Sequence, residues 1–365
     1  MARNNSILVL AGISLALAGG VAQASAQYSR DDARDLLFSA MDKGRFLSVQ
    51  GIILRRNSTR DPGMMQLRMA QATGIAKTVV LSPLPFQGIT TLDDGQNWMT
   101  YVPDENRIVI QSSPRLMGGT SRRKRAAATS YRFVSDNGES IAGRKTILIV
   151  ATPKASEMPT RRYWIDSDFP FILKMDVVEG NAAKTLLDTK AVTFEVQQSD
   201  ETFKITPATG VRRIYLESPE KIRSSESAKA SVGFMPSLPK DLPFGFVIQE
   251  GQIVGDKSER FVALRLTDGL ASATLYQWPV SRKNPVPCHD KKSVREAGGI
   301  RMRLVGDLPD AILSQLIDAF ARELTKGLQT LSGTPATDSV LSDDVQRVCD
   351  REGIGSVPMS VPFGS

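Results

Sequence analysis

The chain has 365 residues, a formal net charge of +7 and 41% hydrophobic residues, which is length enough for two domains of ordinary size. Only one apolar run, at the N-terminus, approaches membrane length. A single histidine, His289, and two cysteines, Cys288 and Cys349, leave one residue for any histidine-based triad and no metal-spaced Cys/His cluster.

The first 26 residues read as a cleavable export signal. Arg3 provides the positive start, residues 7–18 the apolar run, and Ala24-Ser25-Ala26 the small-residue cleavage pattern. The run is shorter than the roughly 20 apolar residues that cross a bilayer. A retained anchor is the alternative. No cysteine stands near the expected cleavage point, which argues against a lipid-anchored mature N-terminus.

A helix opens the mature chain. Ser29 suits its N-cap, and Asp31 and Asp32 suit the positive end of the helix dipole. Ala33, Leu36, Leu37, Ala40 and Met41 then share one face, and Gly44 ends it. From Phe46 to about Ile205 the pattern predicts a curved antiparallel meander. Met65, Leu67 and Met69 alternate with Gln66 and Arg68. Asp94-Gly95 and Pro103-Asp104-Glu105-Asn106 bracket a strand from Trp98 to Val102. Asp136-Asn137-Gly138 reads as a turn, with strands before it at 131–134 and after it at 144–150. A hairpin follows, out along 161–165, round 166–170 and back along 171–178. Glu179-Gly180-Asn181 turns again before a strand near 191–196.

Residues 206–241, with Pro219, Pro236 and Pro239, have linker composition, with a short helix expected near 220–230. Order resumes at 242. Strands at 260–266 and 271–278 flank Thr267-Asp268-Gly269, a hairpin turn, and a strand at 299–305 precedes a second helix. Asp307, Pro309 and Asp310 mark its start, and Leu313, Leu316, Ile317 and Phe320 share its face. The organisation expected is therefore a signal at 1–26, a first domain at 28–205, a linker at 206–241, a smaller domain at 242–331 and a tail at 332–365.

Arg122, Arg123, Lys124 and Arg125 form the one dense basic run. It reads as a loop for an anionic contact, with lipid phosphates or an acidic protein as targets and nucleic acid excluded by export; a plain solvated loop is the alternative. In an oxidising compartment Cys288 and Cys349 suit a disulfide, with two unpaired thiols as the alternative. Cys288 beside His289 makes no dyad, because neighbours in an extended segment point opposite ways. With no phosphate-binding or dinucleotide motif, the chain reads as a binding protein, not an enzyme, with no cofactor; an active site of carboxylates alone is the alternative, although no pair of them stands out.

Apolar supply is more informative. Leu36, Leu37, Met41, Met65, Leu67, Met69, Trp98 and Tyr101 are expected to line a ligand groove between the sheet and its helix, methionine being suited to variable apolar ligands. A filled core is the alternative for each of them.

The second half resembles the C-terminal domain of the RseB/MucB family of periplasmic sigma-factor regulators. The resemblance is carried by Leu242-Pro243-Phe244-Gly245-Phe246, the run from Leu266 to Leu275, and Val305-Gly306-Asp307-Leu308-Pro309. The first half is similar to the family's N-terminal half through Gly51-Ile52-Ile53-Leu54-Arg55-Arg56, Ile141-Ala142-Gly143-Arg144 and Arg161-Arg162-Tyr163-Trp164-Ile165-Asp166. The resemblance implies an α+β fold: a curved antiparallel half-barrel like that of the lipoprotein carrier LolA, with helices on its concave face, plus a smaller α+β C-terminal domain. It implies a periplasmic regulator of an envelope-stress sigma factor. Its partners would be the periplasmic domain of a membrane anti-sigma factor and lipid or lipoprotein acyl chains. A LolA-like carrier of acyl chains is the alternative.

Overall fold

The computed structural model describes residues 30–59, 61–117, 120–255, 259–282 and 294–332. Residues 1–29, where an export signal is expected, Cys288, Cys349, His289 and the tail from residue 333 onward lie outside the described residues. Among the described residues no helix is long and apolar enough to cross a membrane.

The first helix forms where its spacing predicts, as α1 (Arg30–Lys43). Ala33, Leu37 and Ala40 point to one side and are buried, because the 3.6-residue period stacks them on one face. A short 3-10 turn, Gly44–Phe46, ends it. Gly44 cannot carry a side chain: a Cβ there would lie 2.8 Å from the Pro170 carbonyl.

Alternating strands follow: β1 (Val49–Arg55), β2 (Met64–Ala70), β3 (Ala76–Ser82), β4 (Thr90–Asp93), β5 (Asn97–Val102) and β6 (Arg107–Ser112). After helix α2 (Thr120–Ser130) come β7 (Tyr131–Ile141), β8 (Arg144–Pro153), β9 (Thr160–Asp166), β10 (Ile172–Glu179) and β11 (Ala182–Phe194). All these strands, with β12 (Arg212–Tyr215), make one open 12-stranded sheet in the order β12-β6-β5-β4-β3-β2-β1-β11-β10-β9-β8-β7. The antiparallel pairing of β1 with β11 joins its two halves, setting Val49 opposite Phe194. A right-handed twist between neighbours curves so wide a sheet, and α1 packs against β7, β8 and β9.

Four sequence expectations are corrected here. Asp136-Asn137-Gly138 is no turn: β7 runs straight through it, and the reversal falls at Ala142 and Gly143, both with positive φ. Gly138 serves close packing instead, since a Cβ there would collide with Thr146 Oγ1. Residues 206–241 hold the short helix expected there, as α3 (Ser225–Val232), but they also contain two unforeseen strands, β12 and β13 (Glu220–Lys221). β12 pairs with β6 in parallel, so the sheet is not wholly antiparallel. Finally, Arg122 to Arg125 lie within α2, not in a loop.

The second sheet has six strands, ordered β13-β14-β15-β16-β18-β17. They are β13 with β14 (Val247–Val254), β15 (Phe261–Thr267), β16 (Ser272–Pro279), β17 (Val294–Ala297) and β18 (Ile300–Gly306). Helix α4 (Asp310–Ser332) lays Ile312, Leu316, Ile317 and Phe320 against Leu264, Leu275, Met302 and Leu304. α3 is capped by Ser224, whose side chain accepts from the Ser227 amide, satisfying one otherwise orphaned donor.

The two sheets exchange residues where they meet. Leu270, from the turn between β15 and β16, is buried in the core formed by α1 and β7 to β9. Met158, from the loop between β8 and β9, is buried in the core beneath α4.

Candidate functional site

The turn after β15 is the centre of the seam. Asp268 is fully buried. Its Oδ1 accepts from the amides of Leu270 (2.9 Å) and Ala271 (2.6 Å), and its Oδ2 accepts from the Tyr131 hydroxyl at 2.6 Å. Burial raises the Asp268 pKa; the Arg161 charge, the Tyr131 hydroxyl and the two amides pull the other way. Burial and the Asp268 charge push the Tyr131 pKa well up, so its hydroxyl stays a donor. Gly269 sits at φ +101, where a Cβ would lie 2.4 Å from both Ala127 N and Arg123 O. The turn therefore rests directly on the backbone of α2.

Beside this turn a cavity of about 150 Å³ opens between α1, β1, β2, β9, β10, β11 and the second sheet. Its apolar wall includes Met41, Ile53, Ile172, Met175 and Leu187, and Leu270 and Ala271 close it from the second sheet. Its charged lining is mostly cationic: Arg55, Arg56, Arg68, Arg123 and Arg161, against the carboxylate of Asp307 among the described residues. Asp307 ties the sheets together a second time, its Oδ1 accepting from the Thr59 amide (2.8 Å) and hydroxyl (3.0 Å).

These arginines are costly to hold there. Burial lowers the Arg68 pKa to about 10, helped by the charges of Arg55 and Arg115 and opposed by Asp93. Burial lowers Arg55 and Arg123 as well. All remain cations at neutral pH. Arg161 is 4% exposed; burial works against its charge, but Tyr163, Tyr131, Asp268 and Asp307 outweigh it and raise its pKa. The Nε atoms of Arg56, Arg68 and Arg161 and the Oδ2 of Asp307 are buried with no hydrogen-bond partner among the described residues.

The residues expected to line a groove are distributed otherwise. Met41 lines the cavity. Leu37 is wholly buried in the core under α1, with Leu36 packed against the same cluster. Met65, Leu67 and Met69 lie on the far side of the sheet. Cross-strand pairing sets them against Leu54, Ile52 and Gln50, whereas the cavity takes the alternate residues Ile53, Arg55 and Arg68. Met69 and Leu67 pack under Phe203 there. The Trp98 indole donates to Thr100 Oγ1 at 3.1 Å, and the Tyr101 hydroxyl accepts from the Ala208 amide at 3.3 Å.

The basic run is also largely engaged. Arg122 donates to the carbonyls of Ile248 (2.9 Å) and Gln249 (2.8 Å) on β14, Arg123 lines the cavity, and Lys124 pairs with Asp35 of α1 at 2.9 Å. Arg125 is exposed. Thus α2 straps the first sheet to the second. Sequence reasoning passed over Arg55, Arg68 and Arg161 as site residues. Their signal was present: Gly51, Ile53 and Arg55, and again Arg161, Tyr163 and Ile165, fall at every second position, so each arginine shares a strand face with apolar residues.

Residues 78–209 match the family described as the MucB/RseB N-terminal domain. No curated protein matches the sequence. Among solved structures, the complex of MucA and MucB from Pseudomonas aeruginosa is similar, at 13% identity and TM-score 0.55, covering 78% of this chain and 97% of that one. MucB in complex with MucA(peri) gives 14% identity and TM-score 0.52 over 78% of this chain and 97% of that one. A further MucB crystal structure gives 14% and 0.50 over 80% and 98%. At such identities the likeness concerns the fold, and it extends across both sheets. Together with the match over residues 78–209, it bears out the resemblance read from the sequence: the chain is similar to the MucB/RseB N-terminal domain in sequence and to MucB in fold.

Proposed function

We propose that this chain is a periplasmic binding protein that regulates an envelope-stress sigma factor. It holds the periplasmic segment of a membrane-bound anti-sigma factor and senses lipid or lipoprotein acyl chains. Two of the similar structures are MucB with MucA bound, which supports a partner of that kind for the same fold. The observation that carries the sensing step is the composite cavity. Its wall is apolar, its lining is cationic, and both sheets contribute to it, so one ligand touches both at once. At about 150 Å³ it is smaller than the usual ligand pocket of about 300–1,000 Å³. It therefore suits a head group and the first carbons of a chain.

A ligand that prefers the partner-free form weakens partner binding by its differential affinity, typically about 1–3 kcal/mol. The test is binding of the purified chain to the periplasmic segment of a membrane anti-sigma factor from the same cell, titrated with lipid extracted from the same envelope. Partner affinity should fall by about 5- to 150-fold at saturating lipid. Unchanged affinity at saturation would remove the sensing step, and no binding of the segment would remove the regulatory reading altogether.

A further inference from the structure

Within the proposed function, the seam between the sheets carries an inference about how the cavity is read out. Among the described residues the cavity is lined by five guanidinium groups and one carboxylate, that of Asp307. A second carboxylate, Asp268, stands behind the wall on the same turn as the lining residues Leu270 and Ala271. Both carboxylates lie in turns that leave strands of the second sheet, β15 and β18, whereas the five arginines lie in or directly after strands of the first sheet or in α2. Arg161 is therefore countered across the seam by Asp268 and Asp307, and Arg123 by Asp268 together with Asp42 of α1, whereas Arg68 faces Asp93 of its own sheet. That neutralisation is incomplete, since Nε of Arg56, Arg68 and Arg161 and Oδ2 of Asp307 are buried without a hydrogen-bond partner among the described residues.

We propose that an anionic group entering the cavity replaces Asp268 and Asp307 as counter-charge to Arg161 and its neighbours, and thereby unseats the turn between β15 and β16 from the first sheet. An ion in so small a space competes directly with the charges already there. Moving the turn then removes Leu270 from the core beneath α1 and lifts Gly269 from the α2 backbone, to which it is fitted too closely for a side chain. A packed contact of this kind opens as a unit. The site thus reports an anion as a change in how the second sheet is held, and Arg161 acts as the positioning residue between ligand and seam.

The seam has its own reporters. The amides of Gly269, Leu270 and Ala271 donate to Thr267 Oγ1 and Asp268 Oδ1 inside the turn. Hydrogen exchange at these amides, in the full exported chain, is measured with octyl phosphate and with octyl glucoside as the uncharged comparison; calorimetry records whether each binds. Octyl phosphate should speed exchange at the three amides by about tenfold, within the usual range of coupling between sites, while amides within β8 and β9 stay protected. Octyl glucoside should not. Asp268→Asn should speed the same exchange without ligand and blunt the further effect of octyl phosphate; the wild-type comparison stands whether or not that variant folds. Octyl phosphate that binds and leaves the seam closed overturns this proposal alone, and an equal response to octyl glucoside overturns the role of charge. Failure of both compounds to bind overturns it together with the sensing function.

Discussion

The hydroxyl of Tyr131 donates a 2.6 Å hydrogen bond to Asp268 Oδ2, joining the first residue of β7 to the turn between β15 and β16. Both residues are buried. One link of the seam is therefore a charge-assisted bond shielded from water, where such bonds are strongest.

Tyr131→Phe removes that donor and leaves the carboxylate with two backbone amides. A stability loss of about 1.5–3 kcal/mol is expected at neutral pH, measured by denaturant unfolding. The loss depends on pH with a definite sign. Because burial raises the Asp268 pKa in the folded chain, its contribution to stability is greatest below its unfolded value and declines as pH rises through the folded value. Removing Tyr131 takes away a group that eases this decline, so the deficit of the variant should grow over the same interval. A deficit independent of pH would separate Tyr131 from the ionisation of Asp268.

Gly269→Ala places a Cβ 2.4 Å from the Ala127 amide nitrogen and the Arg123 carbonyl, at a φ of +101 that L side chains rarely adopt. Backbone cannot yield as a flexible side chain would. The expected cost is about 2–4 kcal/mol, with the turn displaced from α2 and the Gly269 to Ala271 amides exposed to exchange. Retained stability and protection would show that the turn seats more loosely than its contacts indicate.

Leu37 and Met41 lie one turn apart on α1 and differ in what they touch. Leu37→Ala opens the core beneath the helix and should cost about 2–5 kcal/mol without changing ligand affinity in the folded protein. Met41→Trp fills the cavity, costs about 1–3 kcal/mol through overpacking, and should abolish uptake of octyl phosphate measured by calorimetry. Equal ligand losses in the two variants would contradict the division of the α1 face into core and cavity wall.

Asp94 shapes the turn between β4 and β5, accepting from the amides of Gln96 (2.8 Å) and Asn97 (2.6 Å). Burial opposes its ionisation, but those amides, the Asn97 side chain and the Arg115 charge prevail, and its pKa is lowered. Its contribution to stability is thus present above the ordinary value of 3.8 and is lost as pH falls through the lower folded value. Asp94→Ala should flatten that limb of the acid-unfolding curve. An unchanged limb would assign it to other carboxylates.

The elements that could be read from the sequence are those whose cause is local. α1 and the α4 face of Leu313, Leu316, Ile317 and Phe320 follow from spacing at three and four residues. The turns at 166–170 and at Thr267-Asp268-Gly269 follow from residues that reverse a chain wherever they occur. The same local logic misplaced Asp136-Asn137-Gly138, because a long strand beside β8 outweighed three turn-forming residues. It also left β12 in a linker, because a parallel partner, β6, lies about a hundred positions away in sequence.

The site shows the boundary most clearly. Alternation along β1 and β2 identifies two faces, with Ile52, Met65 and Leu67 on one and Ile53, Arg55 and Arg68 on the other, and both carry apolar residues. Period two cannot say which face turns inward. That depends on where α1, β9, β10 and a turn from the second sheet come to rest, through pairings such as Val49 with Phe194. The sequence by itself determined helices α1 and α4, a short helix near α3, most of the strands and the family resemblance, but not α2. Only tertiary structure decided that the cavity belongs to the arginine-bearing face and is closed from the other sheet, because burial and counter-charge arise between residues that the chain holds far apart.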